Sequence, residues 1–144
     1  MRIYLDNCCF NRPFDDQLQI KVRLETEAKL VIQDRIKNGI YALAWSYILD
    51  YENSENPFPE RKETIDSWRR FASTDTDESE QILQIAERLS KMGVKAKDAL
   101  HVACAVIQEC DYFITTDNFL IKKLTKFESI TVVNPVDFIL MIDK

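Results

Sequence analysis

Short apolar runs alternate along the chain with longer segments in which apolar residues recur at helical spacing. The first run, centred on Ile3 and Leu5, predicts a short buried strand that ends abruptly at Asp6. Further runs predict strands at residues 40–45, 112–116 and 130–133. Strands that alternate with helices are typical of a parallel sheet with helices on both faces. The pattern therefore predicts an α/β fold.

The predicted helices fill the segments between these strands. They cover residues 15–37, 60–72, 75–91, 98–109 and 118–124, with a short helix capped by Ser46 and another after Pro135. A polar, kinked segment is predicted at residues 7–13. The loop at residues 53–59 is too short to separate domains, so we expect residues 1–144 to form a single domain. In the first helix, the predicted buried stripe comprises Leu18, Leu24, Ala28, Val31 and Ile36.

Composition favours a globular protein, because 46% of the 144 residues are hydrophobic and 30% are charged. No apolar run approaches the ~20 residues that a membrane span needs, so we expect no membrane contact. Cys8 and Cys9 are adjacent, which suits a disulfide framework poorly, and the N-terminus does not resemble a signal peptide. We therefore expect a cytoplasmic protein with reduced cysteines. The sequence leaves the role of Cys8 and Cys9 open.

The charge of the chain is unevenly distributed. A net charge of −5 argues against indiscriminate binding of nucleic acid. However, residues 91–126 hold six Lys against four acids, whereas residues 74–90 hold five acids against one Arg. An acidic domain can still present a basic face. The basic residues available to hold a phosphate backbone are Lys95, Lys97, Lys122 and Lys123.

Four acidic residues are predicted to meet at one edge of the sheet. Asp6 ends the first strand, and the carboxyl ends of parallel strands are where α/β proteins bind ligands. The helix that begins at Asp98 runs out and the next strand runs back, which returns Asp117 to the neighbourhood of Asp98. Glu52 lies within two turns of the start of the helix that follows the second strand, and Asp50 is its rival for this position.

Carboxylates brought so close together repel one another. Two unit charges 4 Å apart cost about 4 kcal/mol at an effective dielectric constant near 20. Raised pKa values or bound divalent cations relieve this repulsion. An all-oxygen cluster favours Mg²⁺ or Mn²⁺ over zinc, and such ions polarise a phosphodiester and activate water. The cluster therefore predicts metal-dependent hydrolysis of phosphodiester bonds.

The acidic motifs resemble those of the PIN-domain family, which includes metal-dependent ribonucleases and VapC-type toxins. The similar stretches, which occur in the family's order and span nearly the whole chain, are residues 4–7, 46–52, 97–101 and 113–118. The resemblance implies a PIN-like three-layer α/β/α fold with a central parallel sheet of four to five strands. Residues 7–13 differ from the small-residue turn that is common in toxin members, so the sequence leaves open whether this protein is a toxin.

The resemblance also implies an activity, namely cleavage of single-stranded RNA by a Mg²⁺- or Mn²⁺-dependent endoribonuclease. The implied catalytic and metal-binding residues are Asp6, Glu52, Asp98 and Asp117. The implied supporting residues are Asn7, Ser46, Thr116 and Asn118, of which Thr116 and Asn118 would position a water or an acid. The family further suggests a homodimer and, for a toxin, an antitoxin protein as partner. The RNA target, the cleavage position and the number of ions stay open.

Three of the four acids also have a purely structural interpretation. Asp98 would serve as the N-terminal cap of its helix, Asp117 would belong to an ordinary turn, and Glu52 would be a solvated helix residue. His101 follows Asp98 by three residues on the same helix face, but a lone His in an apolar helix is more often a core residue. The alternative function is a non-catalytic PIN-like module that binds RNA or a protein.

Overall fold

A computed structural model describes residues 1–143 of the chain. Its strands are β1 (Arg2–Leu5), β2 (Ala42–Ala44), β3 (Ala72–Thr74), β4 (Tyr112–Ile114) and β5 (Thr131–Val133). They form one parallel sheet in the order β3-β2-β1-β4-β5. The predicted parallel sheet of four to five strands is thus confirmed.

Eight α-helices surround the sheet in the described part of the chain. They are α1 (Asn7–Asn11), α2 (Ile20–Lys37), α3 (Tyr47–Ser54), α4 (Pro59–Trp68), α5 (Glu80–Lys91), α6 (Ala96–Ile107), α7 (Asn118–Lys123) and α8 (Pro135–Ile142). Helix α2 packs against α8, and α5 packs against α6, which gives the predicted three-layer α/β/α arrangement. Within residues 1–143, no helix combines the length and the apolar character that crossing a membrane requires.

Strand β1 lies at the centre of the sheet, and its buried residues anchor the core. Ile3, Tyr4 and Leu5 are fully buried between β2 and β4, and the ring of Tyr4 stacks on that of Phe113 with centroids 5.2 Å apart. The chain builds β2 and β3 on one side of β1 and then crosses to build β4 and β5 on the other. The sheet therefore reverses its order between β1 and β4, and such switch points are where open α/β sheets bind ligands.

The sequence analysis missed the edge strand β3. Residues 69–72 were predicted as the end of a helix, but Arg69–Phe71 form a 3-10 turn and Ala72–Thr74 pair with β2. This strand has only three residues and no apolar run, so its pairing depends on the tertiary fold rather than on local pattern. The helix predicted from residue 75 begins at Glu80, because the Thr76 carbonyl accepts a 3.0 Å hydrogen bond from the Tyr47 backbone N–H and Ser79 caps α5.

The start of the chain after β1 also differs from the prediction. Residues 7–11 form helix α1, and a 3-10 turn (Arg12–Phe14) follows. Helix α2 begins at Ile20 rather than near residue 15. The amide of Gln17 donates hydrogen bonds of 3.0 Å to the carbonyls of Arg12 and Asp15, which holds this segment in a turn.

The predicted buried stripe of α2 is partly wrong. Leu18 is 89% exposed, and Leu24 and Val31 are exposed too, whereas Glu25 and Lys29 are buried. Buried charges require compensation, and of these two residues Glu25 has an ion-pair partner. Arg12 Nε lies 3.2 Å from Glu25 Oε1, an ion pair that lacks hydrogen-bond geometry. The ammonium of Lys29 lies 5.5 Å from the centroid of the Phe10 ring.

Candidate active site

Asp6 directly follows β1 at the switch point between β1 and β4. The residue is only 6% exposed, and its side chain accepts hydrogen bonds through both oxygens. The Asn7 backbone N–H donates to Oδ1 over 2.8 Å, so Asp6 caps helix α1, and the Thr115 hydroxyl donates to Oδ2 over 2.9 Å. Thr115 directly follows β4. These contacts fix the Asp6 carboxylate at the carboxyl edge of the two central strands.

Glu52 reaches the same edge from helix α3. Its Oε2 accepts a hydrogen bond of 3.2 Å from the side-chain amide of Asn7, and its Oε1 accepts a short one from Nε2 of His101. The same Nε2 lies 3.9 Å from Oδ1 of Asp6. The imidazole of His101 therefore lies between the two carboxylates.

His101 is fully buried and continues into a chain of hydrogen bonds beneath the site. Its Nδ1 and the hydroxyl of Tyr4 are 2.6 Å apart, and that hydroxyl lies 2.6 Å from Oγ of Ser46. Ser46 Oγ also accepts from the backbone N–H of Leu49, which caps helix α3. The chain Ser46–Tyr4–His101–Glu52 thus couples β1, α3 and α6 to the orientation of the Glu52 carboxylate.

Charge and burial act together on the pKa values of Glu52 and His101. Burial opposes the charged form of each group, but the hydrogen bond between them and their mutual attraction outweigh it. The pKa of Glu52 is consequently lowered and that of His101 is raised. The negative charges of Asp6 and Asp98 raise the pKa of His101 further. The pair is therefore stabilised as imidazolium and carboxylate.

Asp98 and Asp117 complete the group at the starts of two helices. Asp98 lies in the first turn of α6. Asp117 caps α7, and its Oδ1 accepts from the backbone N–H groups of Phe119 at 3.0 Å and Leu120 at 3.2 Å. Both side chains line one cavity together with Glu52. Asp117 therefore lies in the neighbourhood of Asp98, as predicted.

The pKa of Asp98 is raised by its burial and by the nearby acids. Partial burial and the charges of Asp6, Asp117 and Glu52 raise it to about 6, while His101 acts in the opposite direction. Each of the other three candidate acids thus lies close enough to Asp98 to disfavour its ionised form. The structure brings the four carboxylates together in one electrostatic environment.

The rival acid Asp50 points elsewhere. Its Oδ1 accepts a 2.9 Å hydrogen bond from Nε1 of Trp45, and its Oδ2 lies 3.5 Å from Nη1 of Arg69. It lines a separate cavity with Lys62 and Asp66. Of the two acids on α3 that the sequence left open, Glu52 is the one beside the other carboxylates.

The predicted supporting residues take different places. Asn7 contacts Glu52 with its side chain and Asp6 with its backbone N–H. Ser46 is buried beneath the site, and Asn118 is exposed at the first position of α7. The backbone N–H of Thr116 points to Sγ of Cys8 at 3.4 Å.

The hydroxyl of Thr115, which was not singled out from the sequence, joins the site. It donates to Asp6 and accepts from the backbone N–H of Asp117 at 3.1 Å. Sequence reasoning also placed His101 in the core without the acids. The spacing of Asp98 and His101 on one face of α6 is the signal that pointed to its role.

The donor set suits a metal ion in its chemistry but not in its present geometry. The four carboxylates offer the oxygen ligands that Mg²⁺ and Mn²⁺ prefer. In residues 1–143, however, no three His, Cys, Asp or Glu side chains are arranged so that they could hold an ion. Charges influence a pKa over longer distances than a metal–oxygen bond of ~2.1 Å spans. Asp6 and Glu52 are turned instead towards protein donors, Thr115 and His101.

Two open cavities meet at Glu52. The first, of about 460 Å³, is lined by Glu52, Lys95, Ala96, Lys97, Asp98 and Asp117. The second, of about 310 Å³, is lined by Asn7, Asn11, Asp15, Glu52, Asn56, Pro57, Phe58 and Arg61. The acidic residues therefore have lysines on one side and amide and aromatic groups on the other. Lys122 and Lys123 lie in the last turn of α7 and are not among the residues that line these two cavities.

Solved structures share the fold of this chain at low sequence identity. FitAcB from Neisseria gonorrhoeae has a TM-score of 0.59 and 15% identity, and the match covers 92% of this chain and 97% of that chain. VapBC2 from Rickettsia felis, bound to a DNA fragment from their promoter, has a TM-score of 0.57 and 16% identity, with 93% and 98% covered. No protein-family model and no curated protein matches the sequence. The likeness confirms the predicted α/β fold with a central parallel sheet.

Proposed function

We propose that the protein is a metal-dependent endoribonuclease that hydrolyses phosphodiester bonds of single-stranded RNA at Asp6, Glu52, Asp98 and Asp117. The observation that carries the proposal is the convergence of four acids, from four separate elements, at the switch point of the sheet. Crowded carboxylates are costly for a fold, so their presence at a ligand-binding edge favours a catalytic role over a structural one.

The proposed cofactor is Mg²⁺ or Mn²⁺, held by the same four carboxylates. When bound, such an ion would polarise the phosphodiester and lower the pKa of a water. The oxygen donor set and the raised pKa of Asp98 support this choice, because a cation would relieve the repulsion that, together with burial, raises that pKa.

The chain's own residues would orient the acids and the substrate. Thr115 holds Asp6, and His101 holds Glu52. Lys95 and Lys97 line the cavity beside the acids and would attract the phosphate backbone. Thr116 and Asn118 stay candidates for positioning a water or an acid.

A role as the toxin of a toxin–antitoxin pair belongs to the same proposal. Its support is the resemblance of the sequence motifs to VapC-type toxins and the likeness of the fold to VapBC2 and FitAcB. An antitoxin protein and a second copy of the chain are the partners that this role would bring.

Asp98→Asn and Asp6→Asn test the proposal. Each variant removes one negative charge without changing shape, and we expect cleavage of single-stranded RNA with Mg²⁺ or Mn²⁺ to fall by at least ~10²-fold. Asp50→Asn is the matched control, since it makes the same change on the other side of α3 and should leave the rate unchanged. Wild-type rates in either test variant, with thermal melting to verify folding, would contradict the assignment.

A non-catalytic RNA- or protein-binding module is the second candidate. The observation that favours it is the lack, among residues 1–143, of a ready metal-binding arrangement. Titration of Mg²⁺ and Mn²⁺ into the protein with a labelled RNA separates the two functions. Turnover supports the nuclease, whereas binding without turnover at every metal concentration supports the module.

A further inference from the structure

The cavity of about 310 Å³ next to the acids is lined by amide and charged side chains, one aromatic ring and a proline. Its volume is at the lower end of the ~300–1,000 Å³ that small-ligand pockets occupy. We call it the Phe58 pocket, lined by Asn7, Asn11, Asp15, Glu52, Asn56, Pro57, Phe58 and Arg61. Glu52 belongs both to this pocket and to the acidic site. A group bound in the pocket would therefore lie beside the part of the substrate that reacts.

Phe58 presents an exposed ring on a rigid piece of backbone. Phe58 is 52% exposed, although burial would be favourable for so large an apolar side chain. Pro57 and Pro59 restrict the backbone on both sides, and the Phe58 backbone N–H donates a 3.1 Å hydrogen bond to Oδ1 of Asn56. The ring is thus a flat apolar surface whose position is set before any ligand arrives.

Arg61 adds a second flat surface and a positive charge. Its guanidinium lies 4.4 Å from the centroid of the Phe58 ring and 5.3 Å from that of Phe14, and Nη2 donates to the Phe14 carbonyl over 2.9 Å. No carboxylate among residues 1–143 lies within ion-pair distance of it, whereas Asp15 in the same pocket is paired with Arg12 at 3.1 Å.

Three asparagine side chains supply hydrogen-bonding groups. Asn11 Nδ2 donates to the backbone carbonyl of Asn7 over 3.1 Å, and Asn56 lies beside Asn11. The side-chain oxygen of Asn7 is buried, so Asn11 and Asn56 are the amides that a ligand in the pocket would contact first.

We infer that the Phe58 pocket binds a nucleobase of a single-stranded RNA, directly next to the phosphodiester that the acids hydrolyse. Single-stranded RNA is recognised by stacking of splayed bases on aromatic rings and guanidinium planes, with hydrogen bonds to the base edges. Phe58 and Arg61 offer the planes, and the asparagines offer the edge contacts. The inference rests on the proposed function, whose substrate class it narrows.

The charges around the site favour this placement of base and backbone. The Phe58 pocket combines Arg61 with the acids Asp15 and Glu52, and a neutral nucleobase suits such a lining better than a phosphate group does. The other cavity also holds acids, namely Glu52, Asp98 and Asp117, and its two lysines, Lys95 and Lys97, are the groups there that would contact a phosphate. A strand that crosses the acids would thus put a base on one side and its backbone on the other.

The test combines protein variants with RNA oligonucleotides in which one nucleotide beside the cleaved bond is abasic. We expect Phe58→Ala to raise the KM for intact RNA about tenfold, the size of one lost stacking contact, and Phe58→Trp to stay near wild type. The abasic nucleotide should raise the KM of wild type by the same factor and leave the KM of Phe58→Ala unchanged.

Arg61→Ala should also weaken RNA binding. Arg70→Ala is the matched control, because the Arg70 guanidinium lies 4.9 Å from the Phe71 ring and outside the pocket.

Equal sensitivity of wild type and Phe58→Ala to every abasic position would overturn the pocket assignment. So would an unchanged KM in Phe58→Ala. Fluorescence anisotropy on the same oligonucleotides, measured in parallel, keeps the two proposals separate. If wild type binds these RNAs but does not cut them, the proposed nuclease fails, and the same abasic comparison of affinities then decides the base pocket.

Discussion

At the scale of single residues, the Tyr4 hydroxyl supports His101, which in turn contacts Glu52. It holds His101 from below and also contacts Ser46, and all three side chains are fully buried. Tyr4→Phe keeps the ring against Phe113 but leaves two buried polar groups without this partner. We expect a loss of ~1–3 kcal/mol in the free energy of unfolding, measured with denaturant, and slower cleavage of RNA.

Tyr47→Phe provides the matched control for this change. The Tyr47 hydroxyl is buried and has no hydrogen-bond partner among the described residues, so its removal should leave stability equal or higher. A Tyr4→Phe variant that unfolds and cleaves like Tyr47→Phe would show that the chain Ser46–Tyr4–His101 does not position Glu52.

The residue scale also shows what sequence reasoning could reach in the site. Asp6 and Asp117 were predictable because a carboxylate at the end of a strand has a defined direction. Thr115 and Thr116 differ by one residue, and which hydroxyl reaches Asp6 depends on the register of β4 against β1. The sequence pattern identifies the segment and leaves the choice between such neighbours to the tertiary structure.

At the scale of elements, helix α2 buries a lysine, which makes stability depend on pH. Burial, together with the charge of Lys37, lowers the pKa of Lys29 to about 7, although a negative charge on Cys9 would act in the opposite direction. Between pH 7 and about 10.5, the unfolded chain binds more protons at this lysine than the folded chain does. Stability should therefore rise with pH across this window, by several kcal/mol at most.

Lys29→Met isolates this effect, because methionine fills similar volume without a charge. We expect the variant to be more stable than wild type at pH 7, and the difference to shrink towards pH 10. Denaturant unfolding of both proteins at a series of pH values measures it. Parallel curves for the two proteins would mean that Lys29 is charged in the folded state without penalty.

The same helix shows why some elements were predictable and others were not. The existence of α5 and α6 follows from their apolar residues, a pattern that depends on local sequence alone. The buried face of α2 does not, since Glu25 and Lys29 are buried through partners on distant segments. Strand β3 is likewise defined by its neighbour β2 and not by its own residues.

At the scale of the whole molecule, the topology collects acids that are far apart in sequence. The ends of β1 and β4 and the starts of α6 and α7 meet at one edge, and α3 brings Glu52 over it. The alternation of strands and helices predicted this convergence, because parallel strands share one carboxyl edge. The turning of Asp6 and Glu52 towards Thr115 and His101 was beyond the sequence pattern, which carries no side-chain orientation.

A divalent cation at this edge should stabilise the whole fold, since a ligand that binds only the folded state adds its binding free energy to stability. At 100 times its Kd the gain is ~2.7 kcal/mol, which raises the Tm of a domain of this size by several degrees. We expect Mg²⁺ or Mn²⁺ to raise the Tm of wild type and of Asp50→Asn, with K⁺ at equal ionic strength as the salt control. Asp98→Asn should show a higher Tm than wild type without the metal, because repulsion falls, and a smaller rise with it. The same metal-induced rise in Asp98→Asn as in wild type would place the cation elsewhere than among these carboxylates.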